Sequence, residues 1–352
     1  MITTTCPICS NPARKVLDNL VGYRADLVFT IVECTACGLS FALPAVADAI
    51  LYQWIYDNVE RVPGYARYNS YFNRVKAEQY PLRYLANQEE AYWACETYLR
   101  NARTRFLKEP RVLEVGCGAG YFCYALRSAG YDATGCDISA SAISKATGAF
   151  GSYYRVIDIE SADLPPSERY DIVIMMEIIE HVSNPAQFLD AARRLLAPSG
   201  EMFLTTPNKE AFSEASSWDT ELPPVHLYWF TSRSLEALAK RVGCSAQLCD
   251  FTAYFEERYV LKLRDQGLCR TPMFSPDGKL LIEPHLDERK KSHVRAWVRQ
   301  LADSFGVTRC YREIRDRLAD RERWIGGIGP TLAARLKPVD ALNGQPFSNR
   351  EV

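Results

Sequence analysis

The stretch "VLEVGCGAGYF", Val112 to Phe122, decides the fold. It opens as an apolar run of the kind that forms a buried strand. It then turns through Gly116, Gly118 and Gly120 and continues as "YFCYALRSAG", a helix closed by Gly130. A strand that turns through glycines into a helix is a βα unit. Only glycine lets the backbone approach a ligand closely and adopt positive φ without penalty. Downstream the pattern repeats. "YDATGCD" is a second strand and "SASAISKATGAF" a helix. "SYYRVID" is a third strand and "YDIVIMM" a fourth. "NPAQFLDAARRLLAPSG" is a helix with Asn184 as N-cap and Pro185 at its first position. "EMFLTTP" is a fifth strand, and "TSRSLEALAKRVGC" a helix capped by Thr231 or Ser232. Strands separated by helices imply right-handed βαβ units and a parallel sheet, an α/β fold.

The glycine spacing is G-x-G-x-G, not the G-x-G-x-x-G of dinucleotide binding. Glu114 lies two residues before the first glycine. A carboxylate there repels a pyrophosphate but can face a cationic ligand. That points away from NAD and toward S-adenosylmethionine, which carries an ammonium group and a sulfonium. The second strand ends in "GCDIS", where Asp137 can accept from both ribose hydroxyls. The third ends in "VIDIE", which offers Asp158 to the adenine amino group. Three acidic residues at three successive strand ends make one consistent ligand site.

Length and composition frame this core. The chain has 352 residues, 47% hydrophobic and 24% charged, with a net charge of −1. Such a balance gives no electrostatic footprint for nucleic acid or an anionic membrane. No apolar run approaches the roughly 20 residues that span a bilayer. "MITTTCPICS" lacks the regions of a signal peptide, so a cytoplasmic location is the expectation. Four segments are expected: residues 1–45 with paired cysteines, a helical and aromatic-rich segment over 46–110, the ligand-binding core over 111–265, and a helical extension over 266–352. "DERKKSHVRAWVRQLADSF" and "RCYREIRDRLADRERW" read as charged amphipathic helices of that extension. "YQWIYDNVERVPGYARYNSYF" clusters tyrosines that read mainly as helical packing, with one or two lining a cleft. Of the twelve cysteines, Cys117, Cys123 and Cys136 read as buried thiols.

"VLEVGCGAG", "GCDIS", "YDIVIMMEIIEHVSNPAQFL", "LLAPSGEMFLTTPN" and "HLYWFTSRSLEALAKRVG" together resemble the class I S-adenosylmethionine-dependent methyltransferases over about residues 111–245. The resemblance implies a Rossmann-like seven-stranded sheet with one antiparallel strand. It implies Gly116, Gly118 and Gly120 along the methionine part of the cofactor, Asp137 on the ribose and Asp158 near adenine. The cofactor set expected around them adds Glu114, Cys117, Tyr121, Phe122, Ile138, Ile159 and Glu177. Glu114 stands where the family more often has Asp, with the charge kept.

"CPIC" (Cys6, Cys9) and "CTAC" (Cys34, Cys37) form a C-x2-C…C-x2-C pattern. Four thiolates from two such knuckles suit a closed, structural tetrahedral zinc site, with a hairpin such as "LVFTIVEC" between them. Redox pairs, or cysteines that hold no metal, are the competing readings. A zinc ribbon ahead of this core partly resembles the deoxysugar C-methyltransferases, which carry a further C-terminal α/β domain that the tail here does not suggest.

"MEIIEH", Met176 to His181, follows the fourth strand. In open α/β sheets ligands sit beyond the carboxyl ends of the strands. Methyl transfer needs alignment of acceptor and methyl, and a base when the acceptor is O–H or C–H. His181 and Glu180 stand in that place. His181 is either the base or a scaffold under the cofactor. His226, in "PPVHLYWF", is the second candidate, on a lid-like loop, and reads alternatively as a satisfied structural residue. His285 and His293 read as solvent-exposed. The expected activity is methyl transfer to an O, C or N atom of a small polar metabolite such as a sugar or nucleotide-linked sugar, with no nucleic-acid or membrane partner. A zinc-ribbon interaction or nucleic-acid-binding protein with a non-catalytic core is the alternative, and an NAD-dependent oxidoreductase the other.

Overall fold

The computed structural model describes residues 4–62, 64–106, 108–212, 222–258, 272–281, 326–327 and 329–339. Two sheets organise them. The larger has seven strands: β5 (Arg111–Val115), β6 (Asp132–Asp137), β7 (Tyr154–Val156), β8 (Tyr170–Met176), β9 (Leu196–Pro207), β11 (Cys244–Leu248) and β12 (Thr331–Pro338). Their order is β11-β12-β9-β8-β5-β6-β7. β5 pairs in parallel with both β6 and β8. The chain therefore reverses its direction of winding between β5 and β8, and in such sheets that switch point opens a crevice at the carboxyl ends. β5 reads Arg-Val-Leu-Glu-Val and is buried from Val112 to Val115, as a strand covered on both faces should be.

One strand runs against the others, as expected, but its origin differs from the expected layout. β12 pairs antiparallel to β9 and to β11. It comes from within the segment expected to be a helical extension. "TLAARLKP" is rich in strong helix formers, so its own preferences do not announce a strand. The open edges of β9 and β11 impose one. Arg335 donates from Nε to Glu201 Oε2 at 2.7 Å. Tyr98 donates to Glu201 Oε1 at 2.8 Å, and Arg105 pairs with the same oxygen. Burial alone raises the Glu201 pKa, yet these donors hold it below the usual carboxylate value. The two expected tail helices, with His285 and His293, lie outside the described residues.

Helices cover both faces. α4 (Glu90–Arg103), α5 (Tyr121–Ser128), α6 (Ala140–Phe150) and α9 (Thr252–Glu257) share one core with the short α2 (Ala66–Arg74) and α3 (Pro81–Ala86). α7 (Pro185–Arg194) and α8 (Ser232–Arg241) pack on the other face. Asn184 caps α7, its Oδ1 accepting from Gln187 N–H at 3.2 Å. Of the two expected caps of α8, Thr231 takes the position, in a reciprocal bond with Ser234.

The second sheet holds the paired cysteines. It consists of β1 (Thr4–Thr5), β2 (Pro12–Val21), β3 (Val28–Cys34), β4 (Ser40–Leu43) and β10 (Tyr228–Trp229), in that order. β2 and β3 form the hairpin expected between the knuckles. β10 belongs by sequence to the larger domain, yet it pairs with β4. Further ties follow. Thr231 donates its hydroxyl to the Cys37 carbonyl at 2.8 Å, and Arg241 donates to the Ile8 carbonyl at 3.0 Å. Lys209 pairs with Glu33. The apolar core runs without a break from Cys6 through α7 and α8 to Leu336. α1 (Ala49–Asp57), capped by Asp48, then carries the chain across the mouth of the crevice.

Candidate functional site

The carboxyl ends of β5, β6, β8 and β9 open into a cleft of about 1970 Å³. Its floor is the turn after β5. Gly116, Gly118 and Gly120 all have positive φ. Gly118 faces the cleft: a Cβ there would meet only the Tyr56 hydroxyl, at 3.9 Å. Gly120 serves packing: a Cβ would lie 2.6 Å from Ala146 Cβ and from the Tyr154 ring. Asp137 accepts from the Gly118 and Ser139 N–H groups, both at 2.9 Å. It therefore clamps the loop to the end of β6 while still lining the cleft.

Glu114 lies beneath the loop. It is 5% exposed, and its Oε2 has no partner. Burial pushes its pKa well up. An orphaned buried carboxylate is costly unless a charge or donor satisfies it. The ammonium and sulfonium of S-adenosylmethionine supply such charge, so this donor set fits that cofactor. Ile138 projects from the end of β6 with 73% exposure and, with the buried Ile159, offers an apolar surface in the cleft. Asp158 is exposed and accepts from Glu160 N–H at 3.0 Å. Cys117, Tyr121 and Phe122 also line the cleft.

The opposite wall comes from "EIIEH". Glu177 has φ of +53°, a left-handed conformation rare for non-glycine residues and frequent at functional sites. Thr205 receives its N–H on both backbone and side-chain oxygens. Burial raises its carboxyl pKa to about 7. Glu180 is fully buried; its Oε2 accepts from the Thr206 hydroxyl at 2.9 Å. His181 Nδ1–H donates to the Val225 carbonyl at 2.7 Å, since a carbonyl only accepts. That bond leaves Nε2 with its lone pair, 3.6 Å from Glu180 Oε1. The His181 side chain keeps 21% of its surface open, and desolvation lowers its pKa to about 4. The imidazole is thus neutral near pH 7.

His226 sits beside it, with ring centroids 4.8 Å apart. Leu227 and Tyr228 donate their N–H groups to the Glu180 carbonyl at 2.8 and 3.2 Å. The segment that carries His226 leads directly into β10, so the pairing of β10 with β4 fixes this loop from the cysteine-bearing sheet.

Every predicted cofactor and catalytic residue except Gly120 lines this one cleft, and Gly120 shapes its turn. The tyrosine-rich segment contributes more than expected. Tyr52, Tyr56, Tyr65 and Tyr68 all line the cleft. Tyr52 donates to the Val225 carbonyl at 3.2 Å. Arg67 and Glu89 face it too, paired at 2.8 Å. Pro330 and Thr331 reach it from the start of β12. The density of tyrosines was the available signal for the first group; nothing local marks the second.

The four cysteines of the knuckles form a separate cluster. Their sulfurs lie within 4.8 Å of one another. Cys6 and Cys37 sulfurs are 3.7 Å apart, and Cys9 and Cys34 sulfurs 3.4 Å. A tetrahedron with metal–sulfur bonds of about 2.3 Å has edges of about 3.8 Å. Ile8, Ala36 and Cys37 point N–H groups at Cys6 and Cys34 sulfurs, each at 3.4 Å. The geometry fits a zinc ribbon.

Residues 85–247 match the family model described as a methyltransferase domain. The chain carries an S-adenosylmethionine-dependent methyltransferase domain. Among curated relatives, the domain is similar to the ubiquinone biosynthesis O-methyltransferase of Bradyrhizobium sp. (strain ORS 278), 38% identical over 122 residues, 33% of this chain and 47% of that one. The protein of the same name from Photobacterium profundum is 38% identical over 109 residues, 29% of this chain and 46% of that one. The chain thus spans about half the length of the curated relatives it matches. Among solved structures, a methyltransferase of Archaeoglobus fulgidus is 18% identical with a TM-score of 0.40, covering 69% of this chain and 92% of that one. A possible histamine N-methyltransferase of Thermotoga maritima is 16% identical with a TM-score of 0.40, covering 73% of this chain and 98% of that one. Among the described residues no helix is long and apolar enough to cross a membrane.

Proposed function

We propose that this protein methylates a hydroxyl of a small polar ring compound, such as a sugar or a nucleotide-linked sugar. The observation that carries the reading is the two-ended cleft. One end has an orphaned carboxylate, Glu114, under an open glycine turn. The other has Glu177, Glu180 and His181 at the carboxyl end of β8. Bound across the first end, S-adenosylmethionine supplies an activated methyl group. Glu114 would hold the cationic end, Asp137 the ribose, and Ile138 and Asp158 the adenine. The acidic and imidazole groups at the second end suit an acceptor O–H, in keeping with relatives named O-methyltransferases. Tyr52, Tyr56, Tyr65 and Tyr68 give the acceptor a stacking wall with hydroxyls for hydrogen bonding. The cysteine cluster holds zinc as a closed structural site that supports the loop bearing His226.

Calorimetric titration with S-adenosylhomocysteine tests this reading. Micromolar binding is expected in the native protein and at least tenfold weaker binding in Asp137→Ala. Absence of binding by a folded, zinc-replete chain would overturn it in favour of a non-catalytic scaffold.

A further inference from the structure

Glu180, His181 and His226 offer one ligand atom each, all within 4.8 Å of one another. Two of their other atoms are held in place. Thr206 occupies Glu180 Oε2, and the Val225 carbonyl occupies His181 Nδ1. What is left over is buried and unpaired. Glu180 Oε1 and His226 Nδ1 have no hydrogen-bond partner, and neither does Glu177 Oε1 nearby. Glu180 is 0% exposed and His226 8%. Among the described residues no Lys or Arg forms an ion pair with Glu177 or Glu180; the side chain beside Glu180 Oε1 is His181. Arg67, the guanidinium in the cleft, is engaged with Glu89. Glu180 Oε1 and His226 Nδ1 are buried polar atoms left without partners beside the open Nε2 of His181, and orphaned buried polar atoms are costly. A divalent ion satisfies them.

We propose that Glu180, His181 and His226 form a second metal centre, distinct from the cysteine cluster, that binds one divalent transition-metal ion. Two imidazoles and one carboxylate are a nitrogen and oxygen donor set of the kind that suits zinc, manganese or iron. Three protein ligands leave coordination positions open, as in catalytic sites and unlike the four-thiolate cluster. The outer shell is in place: Val225 orients His181, and Thr206 orients Glu180. Metal-binding histidines are commonly fixed in this way through their second nitrogen. All three residues line the cleft, where an acceptor with two adjacent hydroxyls would reach the ion's open positions and be oriented toward the methyl donor. That last role rests on the methyl-transfer reading; the binding of the ion does not.

Manganese titration of the full chain carrying one equivalent of zinc, followed by electron paramagnetic resonance, tests the centre. One Mn²⁺ per chain is expected, with affinity at least tenfold weaker in His226→Ala and in Glu180→Gln. The same samples are titrated with S-adenosylhomocysteine, and unchanged affinity there shows that the variants are folded. Native protein that binds S-adenosylhomocysteine but not Mn²⁺ overturns the metal centre and leaves methyl transfer standing. Mn²⁺ binding that is equal in the native protein and both folded variants also overturns it. Mn²⁺ binding lost in the variants, in a chain that ignores S-adenosylhomocysteine, upholds the centre and removes the methyl-transfer reading.

Discussion

The cysteine cluster and the Glu180–His181–His226 cluster are joined through one short strand, β10, yet the protein finishes them in opposite ways. The cysteines turn toward one another. Their sulfurs receive backbone N–H groups, three of the four side chains are buried, and none of them lines the cleft. The second cluster keeps unpartnered atoms and lies in the wall of a large cleft. A ligand set that satisfies itself belongs to the architecture. One that leaves buried atoms waiting has been kept at a cost in stability, and such costs are expected where something binds.

Breaking the closed cluster should have the largest effect. Cys34→Ser is expected to lose zinc and unfold the ribbon, because binding energy at such sites is folding energy, on the order of 10 kcal/mol. Thermal melting alongside metal analysis would read it. An unchanged melt would remove the contrast between the two clusters. Gly118→Arg comes next. The site is open, so the fold should persist with a modestly lowered melting temperature from the positive φ of Gly118, but the side chain fills the cofactor floor. Loss of S-adenosylhomocysteine binding by at least ~100-fold, about 2.7 kcal/mol, with a cooperative melt retained is the expected outcome. His181→Ala should lower kcat by about 10²–10⁴ with cofactor affinity preserved; equal turnover would make it scaffold. Thr206→Val is the gentlest cut. It removes one hydrogen bond to a buried carboxyl group, worth about 1.5–3 kcal/mol, and should lower turnover while the metal content of the cysteine cluster stays the same.

The sequence disclosed the two clusters unevenly. The paired C-x2-C knuckles declare four ligands by spacing alone, and the structure brings those sulfurs together. The turn from Val112 to Phe122 and the acidic strand ends were equally legible, because each has a local reason to be there. Glu180 and His181 were legible as neighbours past a strand. Their meeting with His226 was not, since it depends on β10 pairing with a strand almost two hundred residues earlier. Glu177 was readable as an acidic residue, but not its left-handed backbone. β12 was hidden for the opposite reason: its residues prefer helix, and tertiary pairing overrides them.

The position of β12 also bears on how the protein is made. It lies between β9 and β11, but Pro338 follows Pro207 by 131 positions. A ribosome adding about 5–20 residues per second needs roughly 7–26 s to cover that distance. Throughout that interval one edge of β9 has no partner strand, and an unpaired apolar edge is a template for wrong pairing. Among the described elements β12 is thus the last to emerge, and the seven-stranded sheet closes only once Thr331–Pro338 seats between β9 and β11.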